Sequence, residues 1–293
     1  MKKNNIIFFS NNTRGICVLK KLLENDFKVS LLITSKGKKS LFETFLAKNK
    51  IREIKDVNEN SFLREIKSLN PSLFLVAGFS QIFKKDLLDI PLYGVLNLHA
   101  GPLPKYRGGS PLNWQKINGE KKIGISIIKM DEGIDSGNII EKTFFENKEK
   151  YTIDTLHKKA NSLFPELTIS AIEKVFKGYQ GEMQNNKEAC YWHQRNDEDG
   201  FIDFRKKSLE IILFIKALTY PYKGAWTIYD DKKLRIFDAE ISSLKIKGTQ
   251  GKIIFLQGSG PYVICADCAI KIIDYKFENN EELKLNHGYI LNR

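Results

Sequence analysis

The chain has 293 residues, 42% of them hydrophobic and 28% charged, with a formal net charge of +12. That length accommodates two cores, and no apolar run nears the roughly 18 residues of a membrane span. Four scattered cysteines (Cys17, Cys190, Cys265, Cys268) exclude a disulfide framework; the single C-x-x-C at 265–268 has no second pair of ligands at zinc-site spacing, so no metal is implied.

The basic excess calls for an anionic partner without choosing which one. Lysines are spread along the chain, with modest clusters at "SKGKKS" and "FRKK". Aromatic residues do not interleave with them as in a nucleic-acid stacking platform. The N-terminus, "MKKNNIIFFSNN", starts basic then apolar, but its apolar stretch is too short for a signal peptide and a polar helix start follows. A cytoplasmic, soluble protein with no membrane partner is expected.

In chain order, 4–10 ("NNIIFFS") predicts a buried strand. The polar turn "NNT" opens a helix, "RGICVLKKLLENDF", with Ile16, Leu19, Leu22 and Leu23 at helical spacing. A second strand is expected at 28–34, a helix at 61–69 with Phe62, Ile66 and Leu69 on one side, and strands at 72–78 and 94–100. Alternating strands and helices predict a parallel sheet covered on both faces. Residues 97–114, "NLHAGPLPKYRGGSPLNW", include a Pro/Gly-rich loop that regular structure is not expected to hold. Next come a strand at 121–130, its partner at 137–145, and a helical stretch at 152–178 that Pro165 should break or kink. His157 reads as a solvated helix residue. After a polar, irregular stretch (181–205), a helix "SLEIILFIKAL" precedes "GAWTIYDD", "KLRIFDAEI", "TQGKIIFLQ" and "YVICADCAIKIIDYKF". These predict a small antiparallel barrel. The expected division is 1–185 catalytic domain, 186–205 linker and 206–293 C-terminal domain.

Where a dinucleotide-binding fingerprint needs three glycines, "SNNTRG" has one, so NAD and FAD are not expected. Neither a G-x-x-x-x-G-K-[ST] phosphate loop nor a G-x-S-x-G elbow occurs. Open α/β sheets place ligands outside the carboxyl ends of their strands, where Asn97 and His99 fall. As residues i and i+2 of one strand they share a face. "MDEGIDSG" offers carboxylates at Asp131, Glu132 and Asp135. An amide donor, an imidazole and a carboxylate suit acyl transfer to an amine, in which an oxyanion develops and a proton leaves nitrogen. With no Ser or Cys nucleophile beside them, direct transfer is the simpler chemistry. Spacing alone leaves a second reading open, with Asn97 and His99 capping a strand and Asp135 stabilising a turn.

The stretch "NLHAGPLPKYRGGSPLNWQKINGEKKIGISIIKMDEGIDSGNII" (97–140) resembles the folate-dependent formyltransferases, with their N-x-H, Leu-Pro, Arg-Gly loop, "NGE" turn and Met-Asp loop ending in D-[ST]-G. "RNDEDGFIDF" (195–204) and "IKALTYPYKGAW" (215–226) are similar to later segments of that family, with Asp197 and Lys223 where prolines are usual. The resemblance implies an α/β fold: a Rossmann-like catalytic domain with a mainly parallel sheet, plus a smaller OB-like β-barrel domain. It implies 10-formyltetrahydrofolate as formyl donor and Asn97, His99 and Asp135 as catalytic residues. Folate contacts would fall at Val76, Ala77, Gly78 and Phe79 and at Asp131, Glu132, Gly133 and Ile134.

Members of the family formylate methionyl-tRNA, sugar-nucleotide amines or glycinamide ribonucleotide, and one hydrolase releases formate. The C-terminal tail argues against the single-domain glycinamide type, and the start directly at a catalytic strand against the hydrolase. The tRNA enzymes carry a long basic insertion after the second strand. Here "LLITSKGKKSLFETFLAKNK" passes from strand to helix through about half a dozen residues, with only Lys36, Lys38 and Lys39. Gly101-Pro102-Leu103 also replaces their S-L-L. Both departures favour a nucleotide-linked amino sugar, as in lipopolysaccharide or surface-glycan biosynthesis, over tRNA. In that branch the C-terminal domain often makes a homodimer. Arg107, Arg195, and Asn11, Asn12 and Arg14 at the end of the first strand are the candidate phosphate contacts, and Tyr222 or Trp192 the candidate base-stacking residues. A non-catalytic basic RNA-binding protein is the reading from another class.

Overall fold

The computed structural model describes residues 5–45, 50–278 and 283–291; Asn4, expected in the first strand, lies outside them. The chain divides into two compact units. One comprises Met1–Pro111, Gly124–Phe145 and Lys158–Trp192; the other comprises Leu112–Ile123, Glu146–His157 and His193–Arg293.

In chain order the strands and helices are β1 (Asn5–Ser10), α1 (Thr13–Glu24), β2 (Lys28–Ser35), β3 (Lys50–Ile54), α2 (Asn60–Ser68), β4 (Leu73–Ala77), α3 (Lys85–Leu88), β5 (Val95–His99), β6 (Arg107–Gly108), α4 (Pro111–Ile117), β7 (Lys122–Lys129), β8 (Ile139–Glu146), α5 (Ile153–Phe176), β9 (Tyr191–Trp192), α6 (Ser208–Leu218), β10 (Ala225–Tyr229), β11 (Lys232–Ile241), β12 (Ile253–Leu256), β13 (Ser259–Ile264) and β14 (Ala269–Phe277). The first unit is built on a sheet in the order β3-β2-β1-β4-β5-β7-β8. From β3 to β5 all pairs are parallel, and β7 runs antiparallel to β5. Strand β1 is followed on one side by β2 and on the other by β4, so the crossover direction reverses between β1 and β4, the position where such sheets open a ligand crevice.

Burial explains the central strands. Ile6, Ile7, Phe8 and Phe9 of β1 and Leu73, Phe74 and Leu75 of β4 are fully buried, the continuous apolar signature of strands covered on both faces. Phe9 meets the rings of Phe74, Phe79 and Phe83 edge-on. Helix α1 starts where the Asn12 side chain accepts from the Gly15 amide, an N-cap that satisfies an otherwise orphaned donor. Its buried face is Val18, Leu19 and Leu22, whereas Ile16 and Leu23 are only half-buried. On α2, Phe62 and Ile66 are buried and Leu69, the C-cap residue, is exposed.

Several local expectations are corrected. Strand β3, "KIREI", is not among the strands expected from the sequence; it is the sheet's edge and carries charges where a central strand would be apolar. The helix expected after "SKGKKS" is a 3-10 helix over Lys39–Phe45, and residues 46–49 lie outside the described ones. Helix α5 runs unbroken through Pro165. The Pro/Gly-rich loop holds β6 and the start of α4. Likewise, the irregular stretch before α6 holds β9, paired in parallel with β6.

In the second unit an antiparallel sheet runs in the order β10-β11-β14-β13-β12. Its core joins Ile211, Ile212 and Ile215 of α6 to Leu234, Ile236, Ile253, Val263, Ile270 and Ile272 of the strands. The expected antiparallel character is present; among the described residues β10 and β12 form two edges, and no ladder joins them into a closed barrel. No helix of the described residues is long and apolar enough to cross a membrane.

Candidate active site

Strand β5 carries Asn97 and His99 at its carboxyl end, and Asn97 lies in register with Val76 of β4. His99 is 6% exposed. Its Nε2 is 2.5 Å from the Tyr106 carbonyl oxygen and its Nδ1 is 3.4 Å from Asp135 Oδ2. Both ring nitrogens therefore face oxygen acceptors, and a neutral imidazole, with one N–H, can donate to only one of them. Glycine at 101 makes room for this ring: a Cβ there would lie 2.7 Å from His99 Nε2 and 2.9 Å from the Tyr106 carbonyl oxygen.

Asp135 sits in the loop between β7 and β8, in a left-handed conformation with φ of 50°. Its Oδ2 accepts the Gly108 N–H at 2.8 Å, and its Oδ1 is 3.4 Å from Asn97 Nδ2. Asn97, His99 and Asp135, 38 residues apart at the extremes, thus converge at one strand end as expected from the sequence. Charge-assisted bonds to a carboxylate are the stronger kind, so the 2.8 Å bond to main chain is its chief anchor.

Gln184, which the sequence reading did not single out, holds the same loop. Its Nε2 donates to the Asp135 and Gly137 carbonyl oxygens at 2.8 and 2.7 Å. Its Oε1 accepts from Arg107 Nε and Nη2 at 3.0 and 2.9 Å. Arg107 also donates to the Tyr191 hydroxyl and to Asn186 Oδ1, each at 2.8 Å. With 2% exposure and these four bonds, Arg107 is held by its own chain and not presented at the surface as a phosphate ligand would be. No sequence motif marks Gln184, but a buried arginine needs internal acceptors, and the run "QNNKEACYW" that begins at Gln184 supplies them.

The other candidate contacts scatter. Asn11 ties the ends of β1 and β2 together, its Oδ1 accepting from the Ser35 N–H at 2.7 Å and its Nδ2 donating to Ser35 Oγ at 2.9 Å. Asn12 caps α1, and Arg14 lies over the Phe164 ring at 4.6 Å with its Nε 3.4 Å from Asn161 Oδ1. An anion grip by these three side chains is not what the structure presents. In the second unit, Arg195 lies between the Trp114 and Phe214 rings, 4.8 and 5.5 Å from their centroids. Burial lowers its pKa, opposed by Asp199. The Tyr222 hydroxyl bonds to His157 Nε2 at 2.9 Å, so His157 is not merely solvated. Trp192 stacks flat on Tyr106, with centroids 5.5 Å apart.

Of the folate candidates, Val76 and Ala77 are buried in β4, and the Phe79 ring packs against Phe9 and Phe83. Gly78, at φ of 65°, lies against Asn12; a Cβ there would meet its side chain. In the loop, Asp131 Oδ1 accepts from the Gly133 N–H and Ser136 Oγ at 3.1 and 2.7 Å, and Glu132 is 3.6 Å from Lys85 Nζ. Ile134 is 60% exposed. Asp131 Oδ1 is tied up within the loop, and the loop presents to solvent its main chain, the Ile134 side chain and the exposed Asp131 and Glu132. That donor set fits the flat, amide-bearing ring of a folate.

Residues 4–172 match the family model described as formyl transferase, and residues 195–288 match its C-terminal domain. The methionyl-tRNA formyltransferase of Caldanaerobacter subterraneus subsp. tengcongensis is 32% identical over 97% of this chain and 96% of its own. Among solved structures, WlaRD, a sugar 3N-formyl transferase crystallised with dTDP and 5-N-formyl-THF, aligns at a TM-score of 0.72 with 20% identity, covering 96% of this chain and 100% of its own. The N-formyltransferase of Helicobacter canadensis, in complex with folinic acid and dTDP-3-aminofucose, aligns at 0.70 with 23% identity, covering 93% and 99%. With two domain models matched and a full-length relative above 30% identity, the chain belongs to the formyl transferase family and is a folate-dependent N-formyltransferase.

Proposed function

We propose that the acceptor is the amine of a nucleotide-linked amino sugar, formylated from 10-formyltetrahydrofolate in the cytoplasm for surface-glycan or lipopolysaccharide biosynthesis. The observation that carries this reading is the short connection between β2 and β3. It spans only 36–49, and its first part is folded down onto β3, where Glu53 Oε1 accepts the Gly37 and Lys39 N–H groups at 2.7 and 3.3 Å. A long basic insertion for gripping an acceptor stem has no place there. The likeness in fold to two sugar N-formyltransferases is compatible with this reading. The methionyl-tRNA name of the sequence relatives favours the other acceptor, as does the charge of +12.

The reading extends to the site. The folate, when bound, supplies the formyl group; Ile134 and the main chain of 131–134, with the end of β4 at Val76–Phe79, would hold it. Asn97 Nδ2 and the His99 imidazole oppose the negative charge that builds on the attacked carbonyl oxygen. Asp135 keeps His99 oriented through Oδ2, already anchored by Gly108. Its Oδ1, 3.4 Å from Asn97 Nδ2, accepts the proton leaving the amine. The domain division at 1–185, 186–205 and 206–293, and a homodimer through the last of these, belong to the same proposal.

The test is a panel of UDP-, dTDP- and GDP-linked 3-amino and 4-amino sugars, with methionyl-tRNA beside them, each incubated with 10-formyltetrahydrofolate. Mass spectrometry should find one sugar nucleotide carrying a new formyl group and the tRNA unchanged. Formylation of the tRNA alone would reverse the assignment.

A further inference from the structure

We propose that Gln184 is a positioning residue for Asp135, acting as the hub of a closed ring of bonds that fixes both the main chain and the carboxylate of that residue. The inference rests on the reading of Asp135 as part of the catalytic set. The ring can be followed atom by atom. Gly108 N–H donates to Asp135 Oδ2, the Asp135 carbonyl accepts from Gln184 Nε2, and Gln184 Oε1 accepts from Arg107, which precedes Gly108 in the chain.

Its second donation, to the Gly137 carbonyl, brackets Ser136 and sets the curvature of the loop. This matters because Asp135 is held at a positive φ, a conformation that a non-glycine residue keeps only when its surroundings dictate it. Gln184 is 6% exposed, and its amide is saturated: two N–H groups on two carbonyls, one oxygen on two guanidinium donors. Turning the amide over would set oxygen against carbonyl oxygens and NH₂ against the guanidinium, so one orientation alone satisfies every partner. Arg107, gripped further by Tyr191 and Asn186, anchors the hub rather than touching substrate.

Gln184→Glu tests this while keeping Arg107 paired, since only the oxygen facing the two carbonyls is new. With the acceptor that turns over in the panel, kcat should fall about 30-fold with KM for the formyl donor changed less than about threefold. Amide exchange at Gly108 should accelerate, because its acceptor is displaced. In the Asp135→Asn background the same change should cost less than about twofold, because its effect passes through that carboxylate. An additive loss in the double variant, or a rise in KM at unchanged kcat, would overturn the proposal. If Gln184→Glu does not fold, Gln184→Asn is read the same way; one methylene shorter, it cannot span both carbonyls and Arg107. Full activity in the Gln184 variant beside an inactive Asp135→Asn removes this proposal alone. Full activity in Asp135→Asn removes the catalytic reading and this proposal with it.

Discussion

Asp197 is predicted to pin the segment before α6 to the second unit's sheet, and acid should release it. Its carboxylate takes a two-pronged bond from Arg235, Nη1 and Nη2 each at 2.8 Å, and lies 3.3 Å from Lys233 Nζ. Arg235 bonds Glu278 as well and is 7% exposed in its side chain, Asp197 31%. The Asp197 carbonyl accepts the Trp226 indole N–H at 2.7 Å. Bonds from Arg235, helped by Lys233 and opposed by partial burial, lower the Asp197 pKa from 3.8 to about 2. A depressed carboxylate pKa means that the unfolded chain binds the proton first. Its stabilisation is therefore present above about pH 4 and lost as pH falls towards 2. The shift corresponds to about 2 kcal/mol at neutral pH and about half of that at pH 3. Asp197→Asn should thus lower stability by about 2 kcal/mol at pH 7 and about 1 kcal/mol at pH 3, measured by urea denaturation followed through tryptophan fluorescence. An equal loss at both pH values would refute the ion-pair reasoning.

Three further outcomes are expected. His99→Asn and Asp135→Asn should each reduce formyl transfer at least about 100-fold with little change in thermal midpoint, measured as tetrahydrofolate release; retention of near-normal rates would remove those residues from the chemistry. Gly101→Ala should lower kcat by about 10-fold or more, since its Cβ would press on the His99 ring; unchanged kcat would mean the ring can shift at no cost. Lys116 is buried, its Nζ 3.2 Å from Asn147 Oδ1, and desolvation pushes its pKa down from 10.5 to about 8, with Lys216 adding to the shift and Glu149 opposing it. The unfolded chain then binds more protons between about pH 8 and 10.5, so this group's contribution rises with pH across that window. Lys116→Met should raise the thermal midpoint at pH 7 and abolish that rise; a lower midpoint would show that the Asn147 bond outweighs the burial cost.

The parts of the fold legible in the sequence are those whose burial is complete. Strands β1 and β4 announce themselves because both faces are largely apolar, and in β5 the N-x-H spacing puts Asn97 and His99 on one face by geometry alone. Edge strand β3 does not, because its Lys, Arg and Glu side chains reach solvent and erase the pattern. Pro165 does not break α5, because a proline removes one helical bond while the buried Leu156, Ala160, Phe164, Thr168, Ala171 and Ile172 keep the helix packed on either side of it. The convergence of Asp135 with His99 follows from motif and topology together. What the sequence could not convey is direction. An arginine in a glycine-rich loop looks like a phosphate ligand, and only the fold reveals that Arg107 turns inward to Gln184, 77 positions away.

The central claim is the identity of the acceptor, and the most direct measurement is a competition. Enzyme and 10-formyltetrahydrofolate would be given the best nucleotide-linked amino sugar of the panel and methionyl-tRNA together, and kcat/KM read for each from its formylated product. The account predicts a preference of at least about 1,000-fold for the sugar nucleotide, the scale expected when one substrate's binding contacts are missing. A preference for methionyl-tRNA would contradict it, and would mean that the short β2–β3 connection suffices to hold an acceptor stem.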